Sequence, residues 1–202
     1  MVSSAVLPGQ SALADIPAQS HETPKGSPGK VIIRDAGPMD LINLRCQRDN
    51  RKISAILKKL AGNGLAAANQ FLKSGDRAIV CLGPDEWLIM SEAGTSSTIT
   101  AALETANAGH IATTEVSSAM GVLNISGKAC RDLLAKHCAI DLDRSSFKAG
   151  DAAQTIFGHA GVILLANADD QITLVGRSSF MPYLVALLID SGVEYGVEYR
   201  PA

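Results

Sequence analysis

A chain of 202 residues with 47% hydrophobic side chains can build a sizeable buried core, as one domain or two fused halves. Its 18 basic and 20 acidic residues nearly cancel, to a formal net charge of −2, and no basic run occurs. Sequence-independent nucleic-acid binding, which needs many Lys and Arg contacts to phosphates, is therefore disfavoured, and 4% aromatics leave little surface for base stacking. Charged residues are 19% of the chain, below the usual ~25%, which hints that a partner covers part of the surface.

In chain order, MVSSAVLPGQSALADIPA lacks a basic leader and a sustained apolar run, so no secretory signal is expected. No later stretch approaches the roughly 18 apolar residues of a membrane helix. Residues 1–29 hold four of the eight prolines, and SHETPKGSPGK offers little apolar surface against its ordering entropy. We expect this segment to be a disordered arm, or one that folds against a partner, with a single domain over residues 30–202.

Beyond the arm, VIIRD and DLINLR read as strands. NRKISAILKKLAGNG reads as a helix, with Ile53, Ile56, Leu57 and Leu60 at i, i+3, i+4, i+7. Asn50 suits its start, and Gly62 or Gly64 its end. GDRAIVCL and EWLIM flank a GPD turn as a hairpin, and TSSTITAALETANAG reads as a helix capped by Thr95 or Ser96. The order then repeats. GVLNIS is a strand, and GKACRDLLAKHC a helix carrying Cys130, Leu133, Leu134 and His137. After a longer connection come strands AGVILLAN and QITLVG, and then helix SSFMPYLVALLIDSG, where Pro182 is tolerable in the first turn.

An offset of 81 residues lays Met39 on Met120 and Asn43 on Asn124, and an offset of 84 lays Asp85 on Asp169 and Glu86 on Asp170. The gaps fall in connections, as a duplicated unit requires. The expected fold is α+β: two β-α-β-β-α halves, about residues 31–110 and 111–199, with mostly antiparallel sheets and helices packed on them.

GPDEWLIM sets Asp85 and Glu86 against Trp87, the one tryptophan of the chain. An acid–base pair needs environments that push its two pKa values apart, whereas a turn tip offers solvent to both carboxylates. With a second acid pair at the corresponding turn, a hairpin corner is the better reading. The histidines His21, His110, His137 and His159 show no metal-ligand spacing, and the cysteines Cys46, Cys81, Cys130 and Cys138 form no CxxC pair. Read as reduced thiols, those cysteines suit a cytoplasmic protein. GNGLAA lacks a phosphate-loop context, and no GxSxG elbow exists. In GRSSFMPY, Arg177 and a helix start form either an anion-holding corner or an ordinary serine cap.

GPMDLINLRC, LGPDEWLIM, EVSSAMGVLNISGKACRDLLAKHCAIDLDRSSFKAGD and VGRSSFMPYLVALL with its following EYG together resemble the gamma (small) subunit of heterotetrameric sarcosine oxidases, over about residues 31–196. The resemblance extends to the wider group with the fold of folate-dependent aminomethyltransferases, and it implies duplicated ferredoxin-like halves. It further implies an oxidase complex that demethylates sarcosine to glycine, with hydrogen peroxide and methylenetetrahydrofolate formed on other subunits. Its FAD, FMN, NAD, tetrahydrofolate and zinc would lie in the alpha, beta and delta partners, with no cofactor in this chain. The acid that the folate-dependent relatives carry has no counterpart in Val162, Ile163, Leu164 and Leu165, and their Asp-Val-Ser stands here as Glu115-Val116-Ser117. The expectation is thus a non-catalytic subunit of a soluble complex, contacting partners through Arg177, Ser178, Ser179 and Phe180. The competing expectation is a free-standing folate-binding protein or one-carbon transferase.

Overall fold

Residues 10–202 are described by a computed structural model. Period-2 burial sets its strands. They are β1 (Gln19–Ser20), β2 (Val31–Asp35), β3 (Met39–Arg45), β4 (Phe71–Ser74), β5 (Arg77–Gly83), β6 (Glu86–Glu92), β7 (Ala112–Glu115), β8 (Met120–Ser126), β9 (Ala152–Phe157), β10 (Ala160–Ala168), β11 (Gln171–Arg177) and β12 (Val197–Arg200). Four helices interrupt them: α1 (Arg51–Ala61), α2 (Ser96–Glu104), α3 (Cys130–Ala135) and α4 (Met181–Gly192).

One sheet runs β4-β5-β6-β3-β7, and the other β1-β12-β2-β8-β11-β10-β9. Every pairing is antiparallel except β12 with β2. The expected α+β class with mostly antiparallel sheets is what forms. The sheets lie face to face over a shared layer that includes Leu41, Val80, Leu88 and Met90 from one and Val122, Ile163, Leu165 and Val175 from the other. Helices α1 and α2 cover the outer face of the first sheet, packing Ile53, Leu57, Ile99 and Leu103 against Ile42, Ile79 and Ile89. Helices α3 and α4 cover the second, with Leu133, Leu134, Leu184 and Leu188 against Leu123, Leu164 and Leu174.

The two sheets share a strand order, yet they are not the sequential halves 31–110 and 111–199. Strand β2 leaves the first half to pair with β8, and β7 leaves the second to pair with β3. Only Ala36, Gly37 and Pro38 carry the chain from β2 to β3, across from one sheet to the other. Gly37 takes φ 74°, a left-handed value that glycine adopts without a Cβ clash, and its N–H donates to Asp35 Oδ1 at 3.0 Å. The first expected half also lacked β4, the second lacked β7 and β9, and the chain ends add β1 and β12.

The second offset needs correction as well. Cys81 faces Trp87 across one hairpin, and Ala166 faces Ile172 across the other, each just before a bulge. Cys81 therefore corresponds to Ala166, an offset of 85 (166 − 81), and Asp85 corresponds to Asp170 rather than Asp169. Face alternation enforces this: Ala78, Val80 and Met90 then match Ile163, Leu165 and Val175, all in the layer between the sheets.

Helix ends show which local signals sufficed. Asn50 Oδ1 accepts the Ile53 N–H at 3.1 Å and caps α1, and Gly62 at φ 79° ends it. Pro182 sits in the first turn of α4. Neither Thr95 nor Ser96 caps α2 with its side chain. The buried carboxylate of Asp40, reaching from β3, accepts both their N–H groups at 2.6 Å. Helix α3 stops at Ala135, short of His137, and its Arg131 is buried. That guanidinium donates to the carbonyls of Asp169, Leu142 and Phe147 at 2.7–2.8 Å, which holds the 141–147 loop.

Of the expected N-terminal arm, residues 1–9 lie outside the described residues. The remainder packs on the chain's own domain: β1 pairs with β12, and Leu13 is 1% exposed within the core of the second sheet. Composition masked this because a single leucine anchors the segment, with Ser11 Oγ donating to the buried Asp35 at 2.6 Å.

Replacing Asp40 by Ala leaves two N–H groups at the start of α2 without an acceptor and removes a negative charge there. The expected loss is about 1–2 kcal/mol in urea unfolding. Tyr199 is fully buried, and its hydroxyl has no hydrogen-bond partner among the described residues. Burial, helped by nearby Asp35, pushes its phenol up to about 12. The unfolded chain then ionises first, so this contribution is intact below about pH 10 and is lost as pH rises toward the folded value. Tyr199→Phe is expected to keep or raise stability by up to ~1 kcal/mol and to flatten the alkaline limb of the unfolding curve.

Candidate functional site

The Asp85–Glu86 corner is a clamped turn. Arg45, the last residue of β3, reaches Asp85 at 3.3 Å and Glu86 at 2.9 Å, and Asn43 Nδ2 donates to Glu86 Oε1 at 2.7 Å. Arg48 donates to the carbonyls of Gly83 and Pro84 at 3.4 and 3.2 Å, so the turn backbone is held from the same side. Trp87 points the other way. It is 0% exposed under α1 and α2, and its Nε1–H donates to the Ala66 carbonyl at 3.0 Å. The Arg45 guanidinium thus neutralises both carboxylates, and the Asn43 amide orients that of Glu86.

Arg177 ends β11 opposite Met120, and a 3-10 turn over Ser178–Phe180 leads into α4. The expected serine cap is absent: Ser178 Oγ instead donates to the Ser118 carbonyl at 2.8 Å, tying this turn to the one preceding β8. Arg177 and Ser179 are exposed, and Phe180 keeps 40% of its surface in solvent. Phe180 stands edge-on to Tyr183, whose hydroxyl accepts the His159 N–H at 3.1 Å. Two residues before the β9–β10 turn, Ile156 is 56% exposed. The fold therefore brings Phe180, Tyr183 and His159 together just after Arg177, a grouping the sequence does not announce. Gly158 underlies it: a Cβ there would meet the Tyr183 hydroxyl at 2.3 Å.

The other titratable candidates stand apart. His137 Nε2 lies 2.9 Å from Ser191 Oγ at the α3–α4 contact, and that hydroxyl donates to the Leu187 carbonyl. Cys46, Cys81 and Cys130 are buried free thiols, and burial pushes Cys46 and Cys130 up to about 11. Among the described residues no three His, Cys, Asp or Glu side chains gather as a metal site. No helix there is long and apolar enough to cross a membrane. Of the strand without an acid, Val162 and Leu164 face the helices, and Ile163 and Leu165 the layer between the sheets. Glu115 accepts a hydrogen bond from Ser117 Oγ at 3.1 Å.

Two of the clefts between the sheets bear on these residues. One, of about 350 Å³, lies beside Arg177 and includes Asn43, Leu82, Leu88, Val116 and Gln154. The other, of about 530 Å³, is lined by Arg34, Lys73, Asn124, Asn167 and Thr173 over an apolar floor of Met39, Phe71 and Met90. Sequence reasoning missed this second group. The pairing of Asn43 with Asn124 was visible, but which face either residue takes was not.

With Arg45 and Asp85 exposed and Glu86 only half-buried, the Arg45 clamp contributes little to stability. Asp85→Asn with Glu86→Gln is expected to cost less than ~1 kcal/mol in urea unfolding and to leave the circular dichroism spectrum unchanged.

Residues 45–194 match the model of the sarcosine oxidase, gamma subunit family. Sarcosine oxidase subunit gamma of Corynebacterium sp. strain P-1 is 30% identical over 123 residues, and the match spans 60% of this chain and 59% of that protein's length. The strain U-96 subunit gamma is 30% identical over 146 residues, 70% of this chain and 69% of its relative. A solved structure titled as the heterotetrameric sarcosine oxidase of Corynebacterium sp. U-96 in complex with pyrrole 2-carboxylate contains a chain similar at a TM-score of 0.72 and 27% identity, covering 82% of this chain and 85% of that one. Glycine cleavage system aminomethyltransferase T from Bartonella henselae shares the fold at a TM-score of 0.60 and 13% identity, over 86% of this chain and 48% of the transferase. With the family model covering most of the chain and both hairpins, this protein belongs to the sarcosine oxidase gamma subunit family.

Proposed function

We propose that the chain is a non-catalytic subunit of a heterotetrameric sarcosine oxidase-type flavoenzyme, assembling with alpha, beta and delta partners. Its likeness to a chain of a heterotetrameric oxidase, over 82% of its length, carries this reading. In it, the oxidative demethylation of sarcosine to glycine takes place on the partners, which hold FAD, FMN, NAD, tetrahydrofolate and zinc. The internal chemistry agrees. Asp85 and Glu86 are held by Arg45, and His137 meets a serine whose own proton is committed to a carbonyl.

The docking surface is the rim of Arg177, Ser178, Ser179 and Phe180, extended by Tyr183. Aromatic and arginine side chains are enriched among the residues that dominate interface energetics, and Phe180 and Ile156 expose apolar area that a partner would cover. Arg177 supplies a donor fork for a partner carboxylate or carbonyl.

Co-expression with the flavin-bearing subunits and affinity capture of this chain tests the assembly. The flavoprotein is expected to co-purify, and Arg177→Glu with Phe180→Asp to lower its recovery by about tenfold or more, as loss of central anchors does. A monomeric chain that captures no flavoprotein overturns the assembly. Turnover of an N-methyl amino acid by the isolated chain overturns the non-catalytic role.

A further inference from the structure

The second sheet runs past the end of the first, and its inner face is bare there. Along β10, Leu165 and Ile163 are buried in the layer between the sheets, and Gly161, next on the same face, is exposed. Along β11, Thr173 and Val175 are buried and Arg177 is exposed. On β9, Ala152 is buried and Gln154 and Ile156 are exposed, with Gln154 Nε2 donating to the Leu82 carbonyl of the first sheet at 2.7 Å. Ile156 pairs with Gly161, and Arg177 pairs with Met120. Val162 pairs with Gly176, so the next step of that register sets Gly161 beside Arg177. Ile156, Gly161, Arg177 and Met120 therefore form one row across four strands, on the face that the first sheet covers further along.

The usual reasons for a glycine inside a strand are absent at position 161. Its φ lies outside the left-handed region, and a Cβ built there meets no atom within 4 Å. The β9–β10 register also passes through it without a bulge. A strand glycine with neither cause marks a place where another chain or a ligand approaches closely. Its missing side chain leaves a notch in the row, between Ile156, 56% exposed, and Arg177.

Charge along the row has one sign. The cleft of about 350 Å³ that opens against it includes Leu82, Leu88, Val116 and Met120, and Arg177 is the one charged side chain on its lining. Arg177 forms no ion pair among the described residues. By the offset that matches the hairpins, its counterpart in the first sheet is Glu92, which Arg77 holds at 2.7 Å. The first sheet thus neutralises this position from within the chain. The second leaves a whole guanidinium fork beside apolar surface, the geometry that takes a carboxylate through two parallel hydrogen bonds.

We propose that this row is a socket for a partner subunit's apolar side chain flanked by a carboxylate. The apolar group fills the notch over Gly161 against Ile156, and the carboxylate pairs with Arg177. The occupant's chemistry follows from the socket, which has apolar walls, one cation and no acid on its lining. Arg177 leads directly into the Ser178–Phe180 turn, so socket and docking rim are one continuous surface. The inference rests on the assembly proposed above and specifies what the partner inserts.

The test is capture of the flavoprotein by the full chain, co-expressed with the flavin-bearing subunits. Gly161→Phe fills the notch, and Arg177→Gln removes the charge. Each is expected to lower flavoprotein recovery about tenfold or more, while the thermal midpoint of the isolated variant stays or rises. Ile156→Thr keeps a β-branched side chain at an exposed site and is expected to lower recovery severalfold. Should Gly161→Phe fail to fold, Arg177→Gln and Ile156→Thr decide the matter. Recovery at the parent level by the folded variants overturns the socket and leaves the assembly standing. A parent chain that captures no flavoprotein overturns the assembly, and the socket with it. A dimer of the isolated chain in size-exclusion chromatography that Gly161→Phe abolishes gives the surface to a second copy and overturns the proposal as well.

Discussion

Everything in this molecule depends on the exchange of first strands. β2 opens the first half of the chain yet completes the sheet of the second, and β7 does the reverse. Neither half can satisfy the backbone hydrogen bonds of its sheet alone, since each edge that accepts an exchanged strand would otherwise be open. The short crossing through Ala36, Gly37 and Pro38 fixes the two sheets face to face. An apolar layer between them then follows, as do helices on the two outer faces.

Within each layer, polarity is tolerated at helix ends and in loops. Asp40 caps α2 from β3, and Gly121 takes the corresponding place on β8, where a Cβ would strike the Met181 side chain at 2.7 Å. Arg131 sits buried without a carboxylate and is satisfied by carbonyls of a loop that the first half lacks. The repeated scaffold is thus kept by its hydrophobic layers, while each half solves its helix termini and loops with different polar residues.

The same divergence separates the two clefts and the rim. One cleft is lined with leucines beside an exposed arginine–aromatic edge, which suits association with other subunits. The other keeps amides, a buried hydroxyl and two cations, Arg34 and Lys73, without an ion pair among the described residues.

Much was legible from the sequence because it is local. Period-3.6 spacing gave α1, Asn50 and Gly62 gave its ends, apolar runs gave β5, β6, β10 and β11, and matched methionines and asparagines gave the repeat. The corner at Asp85 was legible too, since a turn between two strands needs little beyond its own residues. What the sequence could not decide was every feature set by distant segments. The one-residue offset of the hairpins depends on which face meets the other sheet. The cap on α2 comes from a residue 55 positions away in the chain. The N-terminal segment is anchored by Ser11 to Asp35 on β2, by Leu13 in the core of the second sheet, and by β1 to β12 at the far end of the chain. Propensity and periodicity record what neighbours along the chain prefer. The identity of a side chain's neighbour in space, and hence the polar cleft, the rim and the strand exchange, is fixed only when both sheets close on a common layer.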